Sequence, residues 1–278
     1  TAGGAWDIKH VLGEADVDQD GSCAFEVPAN TAVYFQLLDA GGRCIQTMRS
    51  WTMLMPGEAM ACVGCHESKE QVYPADQGRA YRKVQRLQPP AGQPAHPLLA
   101  RLDRDGLLGG ISNYLGLNAP RPCDPDAPTE GFSFIRQIQP ILDRHCVRCH
   151  DGGPKAGGRP NLTGAEAADF RKGAARRFSK SYAALTANGR QTALLNWYSA
   201  TGQSAMLPPY AQGSTQSKIM AHLEPSHNGV AVSDAEKRLF ACWIDLAIPF
   251  GGSYFEATVW TPDDRRIAEY HQDKRVIF

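Results

Sequence analysis

Excess charge of either sign is missing from this 278-residue chain: 29 Lys and Arg balance 29 Asp and Glu. A nucleic-acid partner would favour a basic face, and a polybasic membrane anchor a run of Lys and Arg, so neutrality argues against both. Long apolar runs are missing too; no stretch approaches the roughly 20 residues that span a bilayer. The start, Thr1-Ala-Gly-Gly4, has neither a basic n-region nor an apolar h-region, and reads as a processed mature end or a fragment of a longer chain. No recognisable set of nucleophile, base and orienting acid stands out. What remains is a globular composition, 42% hydrophobic and 21% charged, with length for one large or two ordinary domains.

Cysteine is scarce at eight residues, yet half of them fall in one pattern used twice. Cys62-Val-Gly-Cys65-His66 and Cys146-Val-Arg-Cys149-His150 are each C-x-x-C-H, the attachment signature of a c-type haem. The two thiols add to the haem vinyl groups as thioethers, and the adjacent histidine reaches the iron from the proximal side. Two covalently bound haem c groups are therefore expected. Cys62, Cys65, Cys146 and Cys149 are the attachment points, and His66 and His150 the proximal ligands. Such attachment takes place outside the cytoplasm, which predicts an exported, periplasmic or extracellular protein in which disulfides persist. Cys23, Cys44, Cys123 and Cys242 remain, an even number, with buried free thiols as the alternative to disulfides. Cys23 and Cys44 lie in neighbouring strand-like runs and form the expected pair, which leaves Cys123 with Cys242. Four cysteines allow three pairings.

The expected fold class is α+β. Residues 5 to 55 alternate in short runs broken by Asp18-Gln-Asp-Gly21, Pro28 and Asp39-Ala-Gly-Gly42, a spacing that predicts a small antiparallel sandwich. This β-rich module, 1–73, ends in the first haem motif. A Pro- and Gly-rich connector, 74–130, follows, and reads as a segment that wraps haem rather than a domain. From 131 to 252 a mainly helical, cytochrome c-like domain carries the second motif. Phe134, Ile135, Ile138, Ile141 and Leu142 share a helical face that leads into Cys146. Ser233-Asp-Ala-Glu236 is a capping box that opens a helix through Trp243 and Ile244, closed by Pro249 and Gly251-Gly252. The tail, 253–278, starts a charged helix at Thr261-Pro-Asp-Asp264. No internal repeat extends beyond the two motifs.

The sixth ligand decides function, because a strong distal side chain makes an electron carrier whereas an open position admits substrate. For the second haem the candidates are His227, in the turn Pro225-Ser-His-Asn-Gly229, then Met206, in Ala205-Met-Leu-Pro-Pro209, and His222. His227 is preferred, and Met206 is otherwise a core methionine beside haem. For the first haem His10 and His96 are candidates, His10 being otherwise a structural or surface strand residue. Met53, Met55 and Met60 read as core or haem-packing residues. His145 reads as a surface residue or a contact to the haem edge, and His271 as a tail residue within reach of a neighbouring subunit. Asp16-x-Asp18-x-Asp20-Gly21 resembles the start of a calcium loop, but Val27 stands where the bidentate Glu belongs, so a solvated acidic turn is expected. The basic residues from Arg171 to Lys180 read as a solvated face, with neutralisation of haem propionates as the alternative.

Several stretches carry a family resemblance: Trp51 through Glu67, Asp18-Gln-Asp-Gly-Ser22, Phe25-Glu-Val-Pro-Ala29, Tyr34-Phe-Gln-Leu-Leu-Asp39, Gly131-Phe-Ser-Phe134, Asp143 through Asp151, Met206-Leu-Pro-Pro209 and Trp243-Ile-Asp245. Together they resemble the middle and C-terminal haem-binding parts of the hydrazine synthase alpha subunit family, which includes many multihaem proteins that make no hydrazine. The resemblance covers nearly the whole chain. It implies a preceding β-propeller that this sequence lacks, a β-rich module with the first haem, and a cytochrome c-like domain with a bis-histidine second haem. The distal ligand it implies there is His227. In hydrazine synthase itself a tyrosine shortly after the first motif ligates iron and the motif histidine turns to zinc. Here Glu70 stands four positions after His66 and the nearest tyrosine is Tyr73, so ordinary histidine ligation is expected.

The expected function is electron transfer by a dihaem c-type cytochrome, with redox protein partners or self-association into a larger complex or haem filament. The alternative is a haem oxidoreductase, peroxidase-like or of the nitrogen cycle, with an open first haem. A structural subunit with vestigial haems is a third class.

Overall fold

A chain with 27 glycines and 19 prolines has many places where helices and ladders must stop, and short elements joined by long loops result. The computed structural model describes residues 8–48, 50–62, 79–90, 93–96, 99, 131–167, 178–187, 190–198, 207–253, 256 and 261–275. Two units cluster separately: Thr1–His10 with Gln36–Thr47 and Thr129–His271, and Val11–Phe35 with Met48–Pro128 and Gln272–Phe278.

Among the described residues, most of the regular elements fall in the first unit. β1 (Gln36–Leu38) and β2 (Cys44–Thr47) form an antiparallel hairpin, with Gln36 opposite Thr47 and an irregularity after Leu37. Asp39 shapes its turn by accepting the Gly41 and Arg43 amides through Oδ1, both at 2.9 Å. A wide turn over Phe134–Ile138 leads into α1 (Gln139–His145). Pro140, at the first turn of α1, has no N–H to give back, and the ladder bridges it with a wider bond from the Gln139 amide to the Phe134 carbonyl. α2 (Lys180–Leu185) is capped by Ser179, whose Oγ accepts the Tyr182 amide. α3 (Ile219–His222) is a single turn, and α4 (Asp234–Asp245) carries the expected capping box: Ser233 Oγ accepts the Glu236 amide and Glu236 accepts the Ser233 amide. α5 (Pro262–Arg275) begins with Asp263 and Asp264 in its first turn, as the macrodipole favours.

The core of this unit is aromatic. Phe134 packs on Trp243 at 5.0 Å and edge-on to Tyr182 at 5.2 Å, and Tyr182 lies 4.8 Å from Phe250. These four rings are buried and pin the start of α1, α2 and α4 to one another. The polar ends find carbonyls: Tyr182 Oη donates to Ile248 O at 2.7 Å and Trp243 Nε1 to Pro249 O at 3.0 Å. Those two bonds hold the chain where it leaves α4 through two successive left-handed residues, Ala247 (φ 64) and Ile248 (φ 52). The helix therefore ends at Asp245, ahead of the Pro249 and Gly251 that the sequence offers as its stop.

Asp245 joins the hairpin to the helices. Its carboxylate accepts the Cys44 amide at 3.0 Å and both the amide and the hydroxyl of Ser214 at 2.7 Å, while its carbonyl accepts Gln36 Nε2 at 2.9 Å. Only glycine fits at Gly213, since a Cβ there would stand 2.3 Å from Asp245 Oδ1 and φ is +88. Burial dominates the titration of Asp245 and pushes it up to about 6 against the three donors.

The sandwich expected over 5–55 is corrected to something smaller. Among the described residues that segment has one two-stranded sheet and single bridges, Glu14 to Gln88, Phe25 to Gln85 and Val33 to Thr52. The runs find partners for one residue at a time, and Cys44 gives its amide to a carboxylate instead of a third strand. The mixed α and β character stands. The Cys23–Cys44 disulfide is also corrected: both are free thiols, Cys44 buried beside Asp245 and Tyr198, Cys23 exposed in the second unit. Burial pushes the Cys44 thiol up to about 12. Cys123 lies outside the described residues, so its pairing with Cys242 does too.

The second unit shows a 3-10 turn at Arg79–Arg82 and an edge-on contact of Phe25 with Phe35 at 5.3 Å. Asp20 accepts the Arg79 amide at 2.7 Å and the Ser22 amide at 3.0 Å, bonds that hold it at about 2 and commit its oxygens to the turn. Met53, Met55 and Met60 are exposed, together with Trp51, so the protein core does not take them.

Replacing Asp245 with Ala strands three buried donors, and unfolding free energy should fall by about 3 kcal/mol; a loss under about 0.5 kcal/mol in urea melts would remove Asp245 from this role. The pH dependence has a definite sign. A carboxyl raised from 3.8 to about 6 on folding contributes stability that is complete below pH 3.8 and lost as pH climbs through about 6. Asp245→Asn should flatten that slope in urea midpoints measured across the same window.

Candidate functional site

The second motif sits at the end of α1, where the chain continues in helical turns. Cys149 N bonds to Cys146 O at 3.1 Å, and His150 N lies 3.1 Å from Cys146 O and 3.0 Å from Val147 O. In such a turn residues three and four apart share a face, so the two thiols and the imidazole are presented together. Cys146, Cys149 and His150 are all half-buried. Burial pushes the Cys146 thiol up, with Arg148 opposing it.

The loop after the motif returns to hold His150. Leu162 N bonds to His150 O at 2.8 Å, and His150 Nδ1 lies 3.1 Å from Pro160 O. A carbonyl on Nδ1 requires the proton there and leaves Nε2 as the ligating nitrogen, the arrangement metal-bound histidines commonly have. Gly152, at φ +74, makes the return possible, because a Cβ would stand 2.1 Å from Asn161 Nδ2. Gln139 ties the loop to α1 through Leu162 O at 3.1 Å.

His227 lies across from His150 in a turn built by its own backbone: His227 N to Glu224 O at 2.9 Å and Gly229 N to Pro225 O at 3.0 Å. Lys237 on α4 reaches Glu224 at 2.9 Å, and Arg148, inside the motif, donates to Asn228 O at 3.4 Å. The rings of His150 and His227 stand 6.3 Å apart between centres, at 33° between planes. Two metal–imidazole bonds of about 2.1 Å, in line with two ring radii of about 1.1 Å, span about 6.4 Å. The observed separation of the ring centres is close to that span. Among the described residues no group of three or more His, Cys, Asp or Glu could hold a metal ion by itself.

Glu236 fixes the two sides to each other. The carboxylate of the α4 cap accepts Arg144 Nη2 at 2.6 Å and lies 3.4 Å from His145 Nε2, both in the last turn of α1. Burial alone would raise its titration, but the Ser233 amide and hydroxyl and His145 overcome this and hold it at about 2. His222, the last residue of α3, meets His227 edge-on with 4.7 Å between ring centres. Partial burial, with His227 and His150 nearby, pulls the His222 imidazole down.

Of the other candidates, His10 is half-buried, and burial pulls it below its ordinary value. His96 is half-buried in a short turn whose carbonyl accepts the Leu99 amide. Cys62 is exposed, while Cys65 and His66 of the first motif lie outside the described residues. So do Met206 and the cluster between Arg171 and Arg177. His271 falls within α5. Sequence reasoning missed the Pro160 carbonyl, the Arg148 bond and the second task of Glu236. Only Glu236 left a signal, its capping box.

The hydrazine synthase alpha subunit middle domain family matches residues 1–67. Over 189 residues, 59% of this chain, the sequence is 28% identical to hydrazine synthase subunit alpha of Kuenenia stuttgartiensis. The resemblance to that family is thereby shown, over 59% of the chain and not over the nearly whole length expected. The chain spans about a fifth of that relative's length, 22%. No solved structure matches the chain.

A carboxylate lowered from 4.5 to about 2 contributes stability that is present above pH 4.5 and lost as pH falls toward 2. Glu236→Gln should therefore remove part of the acid-side loss and cost about 1 kcal/mol at pH 7 through the weakened cap. Acid titration followed by far-ultraviolet circular dichroism checks both; an unchanged acid limb would exclude Glu236 from the clasp.

Proposed function

We propose that this chain is a dihaem c-type cytochrome unit that transfers electrons. The 6.3 Å separation of His150 and His227 carries the reading. Cys146 and Cys149 would hold the second haem covalently, with His150 proximal and His227 distal. Its supports are the helical presentation of the motif, the Pro160 carbonyl on His150 Nδ1 and the Glu236 clasp. The helical unit is then cytochrome c-like in role, a bundle end presenting C-x-x-C-H opposite a ligand-bearing turn. When bound, a bis-histidine haem exchanges single electrons without opening a coordination site. The residues of the chain would hold the two imidazoles in place at the second haem.

The first haem would be attached through Cys62 and Cys65, with His66 proximal and His10 distal; His96 is the alternative. Covalent haem attachment supports an exported location. Among the described residues no helix is long and apolar enough to cross a membrane. Redox protein partners, or self-association into a complex or filament, complete the proposal, since an electron carrier needs a donor and an acceptor. The match of residues 1–67 to the hydrazine synthase alpha subunit middle domain favours a second reading, a nitrogen-cycle haem oxidoreductase whose first haem is open.

Pyridine haemochrome analysis of the purified chain should give two haems, and one in a Cys146→Ala, Cys149→Ala variant. Electron paramagnetic resonance should show His227→Ala turning one haem from low-spin to high-spin. One haem in the parent chain would contradict the dihaem reading, and an unchanged spin state in His227→Ala would contradict the carrier reading at the second site. A high-spin, cyanide-binding haem that persists in the parent chain selects the oxidoreductase.

A further inference from the structure

His222 is a third imidazole at this site, and neither the motif nor the distal role uses it. Its position is well supported from below. α3 is one turn long, but Ile219, Met220 and the following Leu223 are buried and fix its orientation. The Ile219 amide bonds to Leu194 O at 3.1 Å, and His222 is the exposed end of the anchored turn. Its ring meets His227 at 63°, with 4.7 Å between centres. That is an edge-to-face contact, in which the electropositive edge of one ring faces the π-cloud of the other.

We infer that His222 is a positioning residue for the distal imidazole: packed edge-on against His227, it fixes the rotation of that ring about its bond to the metal. The inference rests on the proposed ligation by His150 and His227. Nothing in the coordination bond itself sets that rotation, because a ring bound through one nitrogen turns about the bond at little cost. The backbone turn at 225–229 places the His227 Cα, and Arg148 secures the turn at Asn228 O. The remaining freedom is the side-chain torsion, and His222 is the ring packed on it. The plane angle to His150, 33°, is then a property held from outside the ligand pair. Groups around the ligands tune a metal centre in this way, through orientation rather than coordination.

The test uses the haem-loaded chain and compares His222→Ala with His222→Phe, which keeps an edge to pack but no ligating nitrogen. Low-temperature electron paramagnetic resonance reads the ligand-plane angle through the largest g value, and signals common to all variants cancel in difference spectra. His222→Ala should stay low-spin yet shift and broaden the largest g value of one haem, and His222→Phe should restore position and width. A His222→Ala spectrum superimposable on the parent overturns the inference. So does a high-spin haem in both His222 variants, which would make His222 the ligand. If His227→Ala leaves every haem low-spin with parental g values, the ligation reading has failed, a result distinct from either.

Discussion

Two imidazoles separated by the width of one coordinated metal must come from parts of the chain that do not move relative to each other. His150 stands in the turns that follow α1, whereas His227 lies in the turn before α4, 77 positions later in sequence. Neither α1, at seven residues, nor the turn would keep its place alone, since isolated helices this short are marginal in water. Constraint comes from below and from the side. The rings of Phe134, Tyr182, Trp243 and Phe250 lock the roots of α1 and α4, and Glu236 bridges the end of one helix to the cap of the other. A helix-capping carboxylate thereby becomes part of the frame that holds the two imidazoles.

The same economy governs the polar core. Asp245 is buried, yet its oxygens are met by donors from β2 and from the turn at Ser214, and its carbonyl by Gln36 of β1. Removing a charge from water is costly, and such a group persists where several directed bonds offset the cost. Here the bonds recruit the hairpin into the helical unit. The Trp243-Ile-Asp245 stretch thus has a physical content: one ring for the core, one carboxylate for the hairpin.

Elements specified by local chemistry were legible in the sequence. The Ser233 to Glu236 capping box, the helix into Cys146 and the helix from Pro262 each depend on residues within a few positions of one another. His227 was legible as a candidate because a histidine in a turn beside a capped helix is a local pattern; its distance to His150 was not. The β-sandwich failed for the opposite reason. Alternation between Ser22 and Met48 fits a pleated surface, but which strand pairs with which is set by distant groups, and Asp245 and Gln85 claim the amides of Cys44 and Glu26. The Cys23–Cys44 pairing fell with it, since it assumed adjacent strands. Carbonyl partners such as Pro160 O leave no trace in side-chain identity and could not be read at all.

The central claim is that His150 and His227 share one metal. Near-infrared magnetic circular dichroism of the oxidised, haem-loaded chain addresses it most directly, because its low-spin charge-transfer band differs in position for two histidines and for a histidine with a methionine. The account predicts a bis-histidine band that accounts for at least one haem per chain. A histidine–methionine band as the only low-spin feature, which would bring in Met206, would contradict it.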